Sequence, residues 1–282
     1  MNAHHYHFQI AAVSDRGRRD ENQDNYLLID SQGQCQTLRD QAVHHQHLLN
    51  WPDGCCRLAV ADGMGGHKNG RLASETLTAA LLALPFQHLA ASLRAALLAL
   101  QADLFAQFYQ GAATPGSTLT LADIAADGSV LIAHIGDSRA YLWQHDWRQL
   151  TLDHTRSEFA WRNRQIDQAA YQQALRTPQN ALAQAMIYGS SSIILDSDGS
   201  ITPGRHASLR LDAEDLCTVA LAPGDVLVIA SDGLWAHRPD NQIDWPAPTG
   251  HILQPWLQTQ LDAALAGSSS DNLTAIALHC IG

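Results

Sequence analysis

Five aspartates in this chain stand at the ends of short apolar runs, and that placement restricts the available folds more than any other feature. Asp24 comes just before Tyr26-Leu27-Leu28-Ile29, and Asp62 follows Leu58-Ala59-Val60-Ala61. Asp137 follows Leu131-Ile132-Ala133-His134-Ile135-Gly136, Asp232 follows Val226-Leu227-Val228-Ile229-Ala230-Ser231, and Asp271 precedes Asn272-Leu273-Thr274-Ala275-Ile276. Runs of this length read as buried strands. A carboxylate at the lip of a core is costly to desolvate unless a cation or hydrogen bonds compensate it. Several that converge also repel one another and raise their pKa values. A divalent cation removes both problems. All-oxygen ligation selects hard ions, Mg²⁺ or Mn²⁺ (or Ca²⁺), over zinc. Gly63, Gly65 and Gly66 after Asp62, and Gly233 after Asp232, let the backbone come close to such an ion. Taken singly, each of these Asp and Gly clusters has the composition of an ordinary turn. Their joint occurrence at strand ends is the specific observation.

The periodicity predicts strands over Tyr26–Ile29, Arg57–Ala61, Ser117–Ala122, Val130–Ile135, Arg139–Trp143, Val226–Ala230 and Leu273–Cys280. The links Ala126-Asp127-Gly128 and Gly136-Asp137-Ser138 are too short for a crossover helix, so the three strands they join are expected to form a β-meander. Helices are expected over Arg71–Leu84, over His88–Gln110 and over Ile252–Leu265. In the second of these Leu89, Leu93, Leu97, Leu100, Leu104 and Phe108 make one apolar stripe. Strands interrupted by a helical pair indicate α+β, with helices on the outer faces of antiparallel sheets. Residues from about 155 to 206 are polar and irregular, the candidate for a mobile flap holding a helix or two. No linker or composition break divides the 282 residues, so a single domain over 1–282 is expected.

A formal charge of −11 argues against a nucleic-acid backbone as partner, which needs a basic footprint. No apolar run has the length of a membrane span, and the first residues do not read as a secretory signal. The five cysteines show no C-x-x-C spacing; Cys55 and Cys56 read as packing residues, and a reducing cytoplasm is the expected compartment. The histidine clusters His4, His5, His7 and His44, His45, His47 could capture metal, but solvated side chains at a terminus and in a loop are the preferred reading.

The segments Ser14-Asp15-Arg16-Gly17-Arg18-Arg19-Asp20-Glu21-Asn22-Gln23-Asp24, Ala61-Asp62-Gly63-Met64-Gly65-Gly66-His67 and Gly116-Ser117-Thr118 come first in a longer ordered series. Gly136-Asp137-Ser138-Arg139-Ala140-Tyr141, Ser231-Asp232-Gly233-Leu234 and Ser270-Asp271-Asn272-Leu273-Thr274 follow, with Thr151-Leu152-Asp153-His154-Thr155 as a weaker element. In this order, from Ser14 to Cys280, they resemble the motifs of bacterial type 2C (PPM) metal-dependent serine/threonine protein phosphatases. The resemblance implies a four-layer αββα sandwich, two antiparallel sheets flanked by helix pairs. It implies two Mn²⁺ or Mg²⁺ ions bridged by Asp62, with the Gly63 carbonyl, Asp232, Asp271 and Asp24 completing the shells. Asp137, together with Asp232, matches a third, weaker metal position. Arg19 is implied to bind the substrate phosphate, where its fork suits two oxygens better than a lysine would. Hydroxide bridging the metals would attack the phosphorus of phosphoserine or phosphothreonine, with no covalent intermediate. Phosphorylated proteins, and a cognate kinase encoded elsewhere, are the implied partners of a monomeric chain.

The match is incomplete at three places. Met64 stands where animal members carry His and cannot transfer a proton; His67, or a metal-bound water, could protonate the leaving alkoxide instead. Gln23 is neutral where some members have Glu, and the stretch from Tyr188 to Arg210 fits the family flap poorly. Two other functional classes follow: a pseudophosphatase that binds phosphoproteins or partners on this fold, and a metal-dependent nuclease or nucleotide hydrolase. The acidic balance and the absence of a phosphate-cradling loop weigh against the second.

Overall fold

The computed structural model describes residues 5–65, 68–110, 113–175, 181–190, 209–238, 241–248, 252–267 and 269–282. The chain begins with β1 (His7–Asp15), β2 (Asp24–Ile29), β3 (Gln34–Arg39), β4 (Ala42–His47) and β5 (Cys56–Met64). Helices α1 (Lys68–Ala83) and α2 (Ala90–Phe108) follow, then β6 (Gly116–Ser117), β7 (Leu119–Ile124), β8 (Ser129–Ile135), β9 (Arg139–Trp143) and β10 (Trp147–Gln149). Next come α3 (Arg156–Arg162), α4 (Gln168–Leu175), and the short strands β11 (Gln184–Ala185) and β12 (Gly189–Ser190). The last elements are β13 (Leu216–Ala220), β14 (Val226–Ala230), α5 (Leu253–Ala266) and β15 (Leu273–Ile281).

Two antiparallel sheets carry the molecule, one in the order β13-β8-β7-β5-β2-β3-β4 with β6 paired to the end of β5, the other in the order β1-β15-β14-β9-β10. Because strand side chains alternate between faces, each central strand feeds two cores. Leu58 and Val60 of β5 point toward the second sheet, packing with Leu142, Leu227, Ile229, Ile276 and Leu278. Ala59 and Ala61 point the other way, against Ala73, Leu77 and Leu81 of α1 and Leu93 and Leu97 of α2. On the far side of the second sheet, Val226, Val228, Ala275 and Ala277 pack under Leu253, Trp256, Leu257 and Leu261 of α5, with Trp143, Trp147 and Trp245 at the margin. Three apolar interfaces thus separate four layers, helix, sheet, sheet and helix, as the resemblance implied. The buried stripe of α2 differs from expectation in one respect. It runs through Gln101 rather than Leu100, because the Gln101 Oε1 accepts from the Ile187 N–H at 2.7 Å, while Leu89 stays exposed at the helix start.

The meander expectation fails at its second link. β7 and β8 pair as a hairpin, but β9 pairs with β14 and β10 in the other sheet. Gly136 has φ +108, a conformation few side chains tolerate, and a Cβ there would lie 2.7 Å from the Thr118 side chain. Residues 136–138 therefore swing the chain across the sandwich, carrying Asp137 to the sheet boundary. His44, His45 and His47 lie on the edge strand β4, not in a loop. Residues 156–175 of the expected flap form α3 and α4, while residues 176–180 and 191–208 lie outside the described residues.

Candidate active site

Strand pairing brings the aspartates together. Asp24 opens β2 and Asp62 lies near the end of β5, and the two are direct partners in the ladder. Like charges facing each other across a ladder are destabilising without compensation. From the other sheet, Asp232 follows β14 and Asp271 precedes β15, so these neighbouring strands deliver both carboxylates at one end. Ser231 Oγ donates to Asp24 Oδ2 at 2.7 Å and receives the Thr274 N–H at 2.9 Å, which fastens the two sheets at the cluster. Thr118 Oγ1 accepts from the Asp62 N–H at 2.9 Å and contacts Ser138 Oγ at 2.5 Å, linking the Asp62 strand to the Asp137 turn.

The electrostatics agree with this convergence. Burial, then the charges of Asp24, Asp232, Asp137 and Asp271, hold the Asp62 pKa well above the usual carboxylate range. Burial followed by Asp137, Asp271 and Asp24 does the same to Asp232. Asp24 is pushed up to about 6, chiefly by burial, although hydrogen bonds from Ser231 and Thr274 oppose the shift. Asp137 rises to about 7 through burial and the nearby Asp153 charge, with Arg139 pulling the other way. The Asp24 carboxylate is buried, whereas Asp62, Asp137, Asp232 and Asp271 each keep a partly exposed face.

One observation bears directly on a cation. Asp24 Oδ1 is a buried oxygen with no hydrogen-bond partner, which leaves a lone pair in want of a positive group. Among the described residues, no three His, Cys, Asp or Glu side chains close into a ready cage. The donors gathered here are all oxygens, a chemistry that suits Mg²⁺ or Mn²⁺ better than zinc. The residues present therefore fit a hard divalent ion whose shell water completes. A Cβ on Gly63 would come 2.1 Å from the Gly70 oxygen and 2.7 Å from the Gln23 oxygen, so only glycine lets the start of α1 pack this close behind Asp62.

Arg19 stands at the mouth. One guanidinium nitrogen donates to Asp271 Oδ2 at 2.8 Å, and with 56% of the side chain exposed the remaining donors are open to solvent. The hydrogen bond and charge of Asp271, with smaller contributions from Asp232 and Asp62, raise its pKa against the opposing effect of burial. Asn272 fixes the loop beneath it, donating to the Arg16 and Glu21 carbonyls and accepting from the Gln23 N–H. Gln23 uses its amide on Glu21 at 2.9 Å, and its carbonyl accepts from Gly63 N–H and Ser74 Oγ. His67 lies outside the described residues. Ser231, Ser138 and Asn272 adjoin the aspartates in the sequence and Thr118 closes the Gly116-Ser117-Thr118 segment, but their bonds form only in three dimensions.

A family model described as protein phosphatase 2C matches residues 34–268. The chain belongs to the protein phosphatase 2C family. Its membership makes it a protein-serine/threonine phosphatase, and its relatives carry that description. A serine/threonine phosphatase stp of Listeria monocytogenes serovar 1/2a is 28% identical over 230 residues, 77% of this chain and 81% of the relative. A serine/threonine protein phosphatase PstP of Mycobacterium tuberculosis (strain ATCC 25618 / H37Rv) is 30% identical over 236 residues, 79% of this chain but 40% of that protein. Among solved structures, serine/threonine phosphatase Stp1 from Staphylococcus aureus superposes with a TM-score of 0.71 at 25% identity, covering 98% of this chain and 96% of that one. The catalytic domain of PstP in complex with 2 manganese ions has the same fold, with a TM-score of 0.62 at 24% identity over 98% of this phosphatase and 99% of that chain.

Proposed function

We propose that this phosphatase hydrolyses phosphoserine and phosphothreonine in proteins with two divalent cations, Mn²⁺ or Mg²⁺, held at the aspartate cluster. The single observation carrying this reading is the Asp24 and Asp62 pair. They face each other across a ladder with raised pKa values, and one buried oxygen has no partner. Asp24, Asp62, Asp232, Asp271 and the Gly63 carbonyl would hold the two ions, and Asp137 with Asp232 a weaker third. When bound, such a pair supplies a water acidified enough to attack phosphorus near neutral pH.

The chain's own residues do the rest. Arg19, tethered at one nitrogen to Asp271, offers its free donors to two phosphate oxygens and so holds the phosphoryl group over the cluster. Neither Met64 nor any cysteine takes part in proton transfer in this reading; His67 or water protonates the leaving serine or threonine oxygen. The phosphatase is proposed to act as a monomer of one domain with a flap over about 155–206, opposing a Ser/Thr kinase encoded elsewhere. The cytoplasm is its proposed compartment, and no helix among the described residues is long and apolar enough to cross a membrane.

Turnover on matched substrates checks the assignment. With Mn²⁺ present, phosphoserine and phosphothreonine peptides are expected to be hydrolysed far faster than a phosphotyrosine peptide or a polynucleotide. Folded protein that binds Mn²⁺ and phosphopeptide without turnover would instead identify a pseudophosphatase, and preferred cleavage of the polynucleotide would identify a nuclease.

A further inference from the structure

Below the Asp137 turn lies a buried polar hub that the proposed chemistry does not use. The His154 side chain is 1% exposed and Asp215 is 8% exposed, and His154 Nε2 lies 2.9 Å from Asp215 Oδ1. The other ring nitrogen, Nδ1, accepts the Gly136 N–H at 3.1 Å and the Gln184 Nε2–H at 2.8 Å. An accepting Nδ1 places the ring proton on Nε2, which donates to Asp215. Gln184 cannot turn its amide around, because its oxygen accepts from the Arg210 N–H at 3.0 Å while its nitrogen donates to the Arg210 carbonyl at 2.9 Å. The His154 main-chain N–H in turn donates to the Gly136 carbonyl at 2.7 Å. Both polar groups of Gly136, the residue at φ +108 that swings the chain between sheets, are thus held by one histidine. Next to it, the two Asp153 oxygens accept from Arg139 Nε and Nη2 at 2.8 and 2.7 Å.

We propose that His154, seated on Asp215, is a positioning residue that clamps residues 136–138 and thereby sets cation affinity at the Asp137 end of the cluster. The inference rests on the reading of Asp137 as a ligand given above. Its physical basis is that a carboxylate must be held still to coordinate well, and the groups that orient a ligand tune the site nearly as strongly as the ligands. The Gly136 N–H ends on the imidazole itself, so changing the ring breaks the link between the turn and its seat on Asp215.

The test is calorimetric Mn²⁺ titration of metal-stripped protein, with a thermal melt of each variant in the absence of metal. His154→Gln keeps a donor for Asp215 but loses the acceptor under Gly136. It is expected to weaken the weakest Mn²⁺ event about tenfold and leave the tighter events unchanged. His154→Asn keeps an acceptor near the Nδ1 position and is expected to lose less. In an Asp137→Asn background, His154→Gln should add no further loss, since coupled residues are not additive. A His154→Gln protein that melts cooperatively and binds Mn²⁺ like the parent overturns the proposal, as does an equal loss at every event. If that variant does not fold, Asp215→Asn carries the same test, with a loss confined to the weakest event expected and a parental isotherm overturning it. A parent protein that binds no Mn²⁺ sinks the metal reading itself, and this inference with it.

Discussion

Asp62→Asn protein folds, melts higher than the parent in the absence of metal at pH 8, and loses turnover of a phosphoserine peptide by at least about 10²-fold. Both halves follow from one position. Asp62 is held beside Asp24, Asp232, Asp137 and Asp271 in a poorly solvated groove that keeps its pKa well above the usual range. A neutral amide removes the repulsion and the desolvation cost, and with them a ligand of the proposed cations. The linkage sign is fixed by the raised values. The folded state binds more protons than the unfolded chain, so the contribution of these groups is full below a pH of about 4 and is lost as pH rises through about 6 for Asp24 and about 7 for Asp137. Metal-stripped parent protein is therefore expected to lose melting temperature between pH 5 and pH 8, and saturating Mn²⁺ to restore it. Asp62→Asn should flatten that dependence. Differential scanning calorimetry at three pH values, with and without chelator, reads all of this; a variant no more stable than the metal-free parent would show that the cluster is not strained by charge.

Arg57→Met costs roughly 3–5 kcal/mol of stability, a fall of about 10 °C in Tm for a chain of this size, while leaving the chemistry of the folded fraction intact. The Arg57 and Asp123 side chains are both fully buried. Two guanidinium nitrogens take both Asp123 oxygens at 2.6 and 2.8 Å, and the group also donates to the carbonyls of Leu81, Leu84 and Pro85. Helix α1 has no basic residue in its last turn, so this strand residue supplies the positive charge that the helix C-terminus favours. Methionine keeps the stem and its packing near Trp51 but strands a buried carboxylate. Replacing Asp123 with Leu in addition should recover only part of the loss, because the helix carbonyls and the Gln87 N–H that Asp123 accepts would stay unsatisfied. Arg57 lies five residues from Asp62 along β5, ~16 Å at strand rise, which is why kcat should not follow Tm. Unchanged unfolding of the single variant, read by denaturant titration, would refute the assignment.

What the sequence discloses and what it hides have physical causes. The central strands and long helices are legible because they are buried on both faces or carry a clear stripe: Leu27, Leu58, Ile132 and Ile229 all face cores. The hairpin of β3 and β4 is not legible. Its strands are polar, and its turn places Asp40 and Gln41 at φ 47 and 65 without the glycine that normally announces such a turn. β1 escapes for a similar reason: both of its faces pack, Phe8, Ile10 and Ala12 on one and Ala11 and Val13 on the other, and the polar His7, Gln9 and Ser14 interrupt both rows. At the site, the aspartates stand out because charge at the end of an apolar run is anomalous. Asp215 does not: nothing local distinguishes it from a surface acid, and its meaning depends on a histidine 61 residues away. The switch of sheets at Gly136 is likewise a property of two sheets facing each other, which local spacing cannot encode.

The account turns on whether catalysis belongs to a metal held by this cluster. Metal-stripped protein titrated with Mn²⁺, with bound ion and phosphoserine-peptide turnover followed in the same samples, answers that directly. The prediction is no turnover without added ion, and turnover that rises with occupancy of the second ion per chain and disappears on chelation. Sustained turnover by fully chelated, folded protein, or turnover that saturates with no Mn²⁺ bound, would contradict it.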